Sequence, residues 1–273
     1  MKNPLVSVVM ATFNEPVSYI KESIESVLNQ TYKNLELIIV DDSTRFETIE
    51  TIDSYNSDNR VIIIRDKKRF GFVKALNIGL QKANGQFIAR MDADDVSLLN
   101  RIATQIDFFE KNPKIDIVGS NIQIINENGE IVSYRKYFKK NFFLQLGSIF
   151  RSPVAHPTVM FRRSIIDNHF FYNENFKKSE DVDFWFRLRN NGYKFENLPH
   201  NLLSYRISGD LAFKRSKEHF SFNFKARYKN YSWKYFYIDL PSLAFTKLYA
   251  FMPKKNDFYL LRQRKQKTRL ILI

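Results

Sequence analysis

Five apolar runs of strand length punctuate the first 130 residues, with helix-patterned stretches between them. They are "LVSVVMAT" (5–12), "LELIIVDDS" (35–43), "RVIIIRD" (60–66), "GQFIARMD" (85–92) and "IDIVGSNIQII" (115–125). Each is rich in β-branched residues, the pattern of strands covered on both faces of a parallel sheet. After the first run, Pro16 suits a first helical turn, and Ile20, Ile24, Val27 and Leu28 recur at helical spacing. Residues 71–84 read as a second helix with Gly85 as its left-handed stop, and Ser97 as the cap of a third that Pro113 ends. Such a series predicts an α/β fold: an open, mostly parallel sheet with right-handed crossovers and helices on both faces. Beyond Glu130 the alternation fades into separate blocks. One is "SPVAHPTVMFRRSII" (152–166), another a predicted helix over 180–190, and the last a returning strand over 198–208.

A chain of 273 residues suits one large α/β domain with an appendage. The absence of cysteine excludes disulfides, thiolate metal sites and a cysteine nucleophile, and is compatible with the cytosol. No signal peptide is expected from the first seven residues, and no apolar window reaches membrane-spanning length. The net charge of +14 is concentrated late. From position 211 onward there are 15 Lys/Arg against three Asp/Glu, whereas the first 210 residues hold 28 against 26. Fifteen of the 42 aromatic residues lie in that same tail. Basic residues interleaved with aromatics suit single-stranded nucleic acid, an anionic membrane surface, or a packed helical subdomain with a solvated basic face.

Ligands of open parallel sheets bind beyond the carboxyl ends of the strands. There the first strand ends in "ATFNEP", the second in "VDDS" and the fourth in "RMDADD". Asp41, Asp42, Asp92, Asp94 and Asp95 would share one sheet edge, and such a cluster needs a cation or donor-rich groups such as uracil N–H and ribose hydroxyls. Mg²⁺ or Mn²⁺, hard ions with oxygen ligands, fit it best. Asp-x-Asp alone is a weak motif; after a buried strand and beside a second acidic strand end it gains weight.

Several blocks, in order, resemble the family 2 glycosyltransferases of GT-A fold: "VSVVMATFNEP", "IESVLNQTYKNLELIIVDDS", "GFVKALNIGLQKANGQFIARMDADD", "RIATQIDFFEKNP" and "SEDVDFWFRLRNNGY". The resemblance covers about residues 4–208 and is nearest to bacterial O-antigen, capsule and exopolysaccharide transferases, which carry a similar "HPTVMFR" segment. It implies a GT-A domain over 1–210, with a nucleotide-sugar half (1–125) and an acceptor half (126–210). Residues 211–273 would be a basic aromatic C-terminal extension. The activity implied is inverting transfer of a hexose, galactose or glucose, from a UDP-sugar to a glycan hydroxyl, with Mn²⁺ or Mg²⁺ as cofactor. Asp94 is the implied metal ligand, Asp92 lies near ribose and diphosphate, and Asp95 orients the loop or the sugar. Asp41 meets uracil, while Thr12, Phe13 and Glu15 surround the base and ribose. Lys74 and Asn77 reach the diphosphate. Asp181 of "SED" is the implied general base, with Asp183 as its alternative. His156 lines the diphosphate or acceptor site, or serves as a metal ligand.

Each assignment has a plainer counterpart. Asp42 could cap the following helix, Lys74 could be a surface lysine, and Asn77 or His156 could be packing residues. Asp183 could be structural, and Phe184, Trp185 and Phe186 suit a core better than a sugar platform. Among other functions, an aspartyl phosphohydrolase would carry Asp-x-Asp after the first strand, not the fourth. A dinucleotide oxidoreductase would show a glycine fingerprint after the first strand. A nucleic-acid protein acting through the tail would leave the acidic sheet edge unexplained. The expectation is therefore a cytoplasmic enzyme without a nucleic-acid partner, peripheral on the inner membrane face. It would work on a lipid-linked acceptor, with "DLPSLAFTKLYAFM" (239–252) at the interface and the later "RQRKQKTR" run beside anionic headgroups.

Overall fold

The computed structural model describes residues 3–207 and 217–251. Four strands, β1 (Val6–Thr12), β2 (Leu35–Asp41), β3 (Val61–Ile64) and β4 (Phe87–Asp92), run parallel in the order β3-β2-β1-β4. Alternation explains why these runs hold two cores. Val6, Val8 and Met10 of β1 face one layer with Leu37 and Ile39 of β2, while Val9 and Ala11 face the other with Ile38 and Val40. Helices α1 (Val17–Leu28) and α2 (Phe46–Asp53) cover the first face through Ile20, Ile24, Val27 and Ile52. Helix α3 (Phe72–Lys82) covers the second through Val73, Leu76 and Leu80. The chain therefore leaves β1 on one side for β2 and β3, then crosses back to β4. That reversal opens a crevice at the carboxyl ends of β1 and β4.

Past β4 the sheet turns mixed. Strands β5 (Val96–Ser97), β6 (Ile117–Ile125), β7 (Ile131–Arg135), β8 (Met160–Arg162) and β9 (Phe195–Arg206) extend the order as β4-β8-β6-β9-β5, with β7 on the edge of β6. β8 is antiparallel to β4 and β6, whereas β9 is parallel to β6. Helix α4 (Arg101–Lys111) packs on the first core through Ile102, Ile106 and Phe109. The short α5 (Asn141–Gly147) and α6 (Ser164–Asp167) precede α7 (Glu180–Asn190), whose Phe184, Trp185 and Leu188 enter the second core. The predicted helix over 180–190 is thus found with those bounds, and the aromatic triplet is core.

Three local expectations need correction. Pro16 is the N-cap of α1, one position before its first turn. Gly85 is not a left-handed stop: it is absent from the positive-φ glycines, and a Cβ there would meet Ser7 N at 2.6 Å and Leu5 O at 2.8 Å. Close passage beside β1, not turn chirality, demands glycine there. Ser97 does not cap α4, whose N-cap is Asn100; it belongs to β5 and pairs with Leu203 of β9.

The described part of the tail is packed. Helices α8 (Lys217–Lys229) and α9 (Phe236–Phe251) dock on α7 through a buried pair of Arg189 with Asp239, 2.7 and 2.8 Å, and through Asn230, which donates to Asp183 at 2.9 Å. Phe176, Val182, Phe186 and Ala226 form a small core between α7 and α8. The "RQRKQKTR" run lies outside the described residues. Among the described residues, no helix is long and apolar enough to cross a membrane.

Candidate active site

Strand register gathers the predicted residues at one sheet end. Thr12 pairs with Asp41, and Ala11 with Asp92, so three acid-bearing or hydroxyl-bearing strand ends lie side by side. The β1–α1 loop is drawn tight by Glu15, whose carboxylate accepts from the Thr12 hydroxyl and from Phe13 N–H at 2.7 Å. Asn14 sits at φ 59, a left-handed conformation that asparagine tolerates, and its Oδ1 accepts from Thr44 and Arg45 N–H. Asp41 is buried: it accepts two bonds from the Arg65 guanidinium, at 2.6 and 2.8 Å, and one from Ser43 N–H at 2.8 Å. Asp42 does not cap the helix that follows it. Its carboxylate accepts from Phe70 and Gly71 N–H at 2.9 and 2.7 Å, at the start of α3, where a helix N-terminus favours negative charge. Phe13 is exposed and carries the Arg69 guanidinium 3.5 Å above its ring. Lys74 is exposed on the first turn of α3, 6.0 Å from the Phe70 ring.

Asn77 does otherwise than expected. Its Oδ1 accepts from Tyr172 N–H at 2.9 Å, and its amide donates to Tyr172 O at 2.9 Å and Glu174 at 3.2 Å. With those groups used, it clamps the 172–174 segment to α3 and has none left for a diphosphate.

Asp92, Asp94 and Asp95 bring carboxylate oxygens within 4.8 Å of one another, the group among the described residues that could hold a metal ion. Three acids at that spacing repel, and the fold answers with arginines. Buried Arg90, two residues earlier on β4, holds both oxygens of Asp92. Burial alone would lower the Arg90 guanidinium, but Asp92 outweighs it and holds the group raised. Arg206, ending β9, donates from its main chain to Asp95 Oδ1 and from Nε to Asp94 O, both at 2.9 Å. Compensation is incomplete. Burial, then Asp92 and Glu15, push the Asp94 carboxyl up to about 6. Burial, then Asp92 and Asp94, raise Asp95 well above the carboxylate range, and its Oδ2 has no hydrogen-bond partner among the described residues. An oxygen-rich set with a surplus of negative charge and an unpartnered buried oxygen fits a hard divalent cation.

A second acidic group opens α7. Burial, then neighbouring Asp181, push Glu180 up to about 8. Asp181 is half-buried at the first turn. Asp183 is fully buried and spent inside the fold, accepting from Arg187 Nε at 2.8 Å and from Asn230. His156 stands apart from the aspartate group: its Nε2 lies 2.7 Å from the Tyr172 hydroxyl and its Nδ1 4.0 Å from Glu180. Burial, then Arg90, hold its imidazole well below the usual range and therefore neutral. Those contacts tie it to Tyr172 and to the first turn of α7, and it is not a member of the carboxylate group that could hold a metal ion among the described residues. Burial pushes the Tyr172 hydroxyl far up, against the opposing charge of Arg90, and Glu180, Asp181 and Asp92 add to the rise.

Arg65, Arg90, Arg206 and Tyr172 are the members the motif reading missed. Arg90 carried a usable signal: a charge inside the apolar run "FIARMD" must find a partner if that strand is buried.

The sequence profile of glycosyl transferase family 2 matches residues 7–170, from β1 through α6. The chain belongs to glycosyltransferase family 2. It is 36% identical over 261 residues to an uncharacterized glycosyltransferase, MJ1057, of Methanocaldococcus jannaschii, covering 88% of each chain. It is 38% identical over 208 residues to the O-antigen biosynthesis glycosyltransferase WbnJ of Escherichia coli, covering 74% of this chain and 80% of that one. Crystal structures of S. aureus TarS share its fold. The 1–349 piece in complex with UDP-GlcNAc superposes with TM-score 0.65 at 18% identity, over 82% of this chain and 66% of that one. A longer S. aureus TarS chain gives TM-score 0.64 at 20% identity, with this family 2 glycosyltransferase spanning 39% of its length. The chain therefore spans less than two thirds of these solved structures, and at such identity the likeness carries the GT-A fold alone.

Proposed function

We propose that this family 2 glycosyltransferase is an inverting, metal-dependent hexosyltransferase. It would move galactose or glucose from a UDP-sugar to a hydroxyl of a lipid-linked glycan during O-antigen, lipopolysaccharide or capsule assembly. One observation carries the reading: beside Thr12 and Asp41 at the carboxyl ends of β1 and β2, the three aspartates after β4 bring carboxylate oxygens within 4.8 Å of one another, and buried Asp95 Oδ2 has no hydrogen-bond partner among the described residues. Kinship with a transferase named for O-antigen biosynthesis supports the class of acceptor.

In this reading Phe13 and Arg69 line the base, Asp41 with Arg65 accepts from uracil, and Thr12 and Glu15 shape the ribose side. Lys74 approaches the diphosphate. Asp94, flanked by Asp92 and Asp95, would hold Mn²⁺ or Mg²⁺, which supplies Lewis acidity toward the charge growing on the departing diphosphate. Asp181 takes the acceptor hydroxyl proton as the acceptor oxygen bonds the anomeric carbon, and UDP leaves from the opposite face with the bonding electrons. Configuration therefore inverts. Glu180 is buried, unlike half-buried Asp181, and Asp183 is occupied by Arg187 and Asn230. The enzyme would work in the cytoplasm on the inner membrane face, attached through its basic, aromatic C-terminal region.

A screen of UDP- and GDP-sugars with Mn²⁺ tests the donor: release of UDP from one hexose donor is expected, and release from none would overturn the transferase reading. NMR of the product should show an inverted anomeric centre; retention would exclude a single displacement by way of Asp181.

A further inference from the structure

From 131 to 166 the chain contains no Asp or Glu and seven Lys or Arg. Within that stretch Lys136, Lys139 and Lys140 are exposed. So are Phe142, Phe143 and Phe150, which leave 57%, 51% and 65% of their surface open. Single exposed aromatics need no explanation, but a group of them rimmed by one sign of charge does. Helix α9 is built inside out. Asp239, Ser242 and Thr246 are buried, while Tyr237, Leu240, Ala244 and Leu248, spaced three or four residues apart, face outward. The two features are continuous: the rings of Phe150 and Phe245 meet edge-on at 5.0 Å. Arg227 ties them from below, donating to Ser148 O just after α5 and to Ser242 Oγ in α9.

We propose that the α5 segment and the outward face of α9 form one docking surface for an anionic lipid bilayer, so that the catalytic body as well as the tail touches the membrane. This rests on the membrane-linked acceptor proposed above and deepens it: α5 and Pro153 line a small cavity against Trp185 and Arg189 of α7, the helix that carries Asp181. Charge and chemistry select this occupant. A two-fold contact with a second copy would place the lysine-rich segments against each other, with like charges opposed. Single-stranded nucleic acid would use the rings for stacking but has no use for the aliphatic face of α9. An anionic interface takes both, since rings and leucines enter the headgroup boundary while lysines meet phosphates.

The test is co-sedimentation of the full chain with vesicles of phosphatidylcholine alone or mixed with phosphatidylglycerol. The wild type should bind the anionic vesicles and release them in high salt. Lys139→Glu with Lys140→Glu, and separately Phe142→Ser with Phe143→Ser, should each weaken partitioning by about tenfold or more. Leu240→Ser with Leu248→Ser should do the same from the α9 side. Mn²⁺-dependent donor hydrolysis in solution should stay at the wild-type level in all three variants, which reports an intact fold. Wild-type partitioning by both α5 variants would overturn the proposal, as would equal binding to neutral vesicles. A single-stranded oligonucleotide bound in preference to vesicles, or a dimer that the phenylalanine variant dissociates, would also overturn it. Failure of donor hydrolysis in the wild type with vesicle binding intact would count against the transferase reading alone.

Discussion

The acids ending β4 and the acids opening α7 are the same residue types under opposite management. At β4 three carboxylates crowd within one ion's reach, with one buried arginine holding the first of them. At α7 the three differ in burial: Asp183 is buried and paired with Arg187, burial pushes the Glu180 carboxyl up, and Asp181 is half-buried. A cluster that shares excess charge is suited to bind a cation. A cluster whose members differ in burial can keep one carboxylate open enough to move a proton. Composition is alike in both; partners and burial decide the role.

The largest effect expected from that contrast is within α7. Asp181→Asn should lower transfer kcat by about 10²–10⁴-fold, the usual worth of a positioned base. Asp183→Asn should keep kcat near wild type while costing about 3–5 kcal/mol of stability, because it breaks one side of a buried ion pair. Transfer assays paired with urea unfolding separate the two, and the reverse pattern would exchange the assignments.

Next comes the arginine at β4. Arg90→Met removes the partner of Asp92 and leaves a buried, uncompensated acid group, at a cost of about 3–5 kcal/mol. Mn²⁺ binds only the folded site, so at a hundredfold excess over its Kd it should restore about 2.7 kcal/mol. Thermal unfolding with and without Mn²⁺ reads both numbers. A variant as stable as wild type without metal would show that the acid group is compensated in some other way.

A smaller effect tests the proton on Glu180. Its folded-state pKa, pushed from 4.5 to about 8 by burial and then Asp181, exceeds that of the unfolded chain. The native state therefore binds the proton more tightly, and this contribution to stability is full below about pH 4.5. It is lost as pH rises toward about 8, at up to on the order of 1 kcal/mol per unit. Glu180→Gln should flatten that decline, with its gain over wild type greatest at alkaline pH. Parallel unfolding curves of the two proteins across this range would contradict the assigned burial.

Much of this contrast was open to reading before the structure. Strands β1 to β4 announce themselves because burial on both faces demands unbroken apolar runs. The three aspartates were legible because they follow a buried strand. Their partners were not. Arg65 and Arg206 end strands far along the chain, and only the pairing of β2 with β3 and the placement of β9 bring them to Asp41 and Asp95. Gly85 and Asn77 were misassigned for a related reason. A glycine after a helix and an asparagine on one look like local devices, yet both serve contacts with distant chain, Leu5 in one case and Tyr172 in the other.

In the proposed mechanism donor binding and proton removal reside in separate carboxylate groups. Calorimetric titration of UDP in the presence of Mn²⁺ tests it most directly, with wild type, Asp94→Asn and Asp181→Asn side by side. Asp181→Asn should bind UDP as the wild type does, while Asp94→Asn should lose the Mn²⁺-dependent part of the affinity. Equal UDP binding by all three, or loss in Asp181→Asn alone, would show that the two roles are not divided in this way.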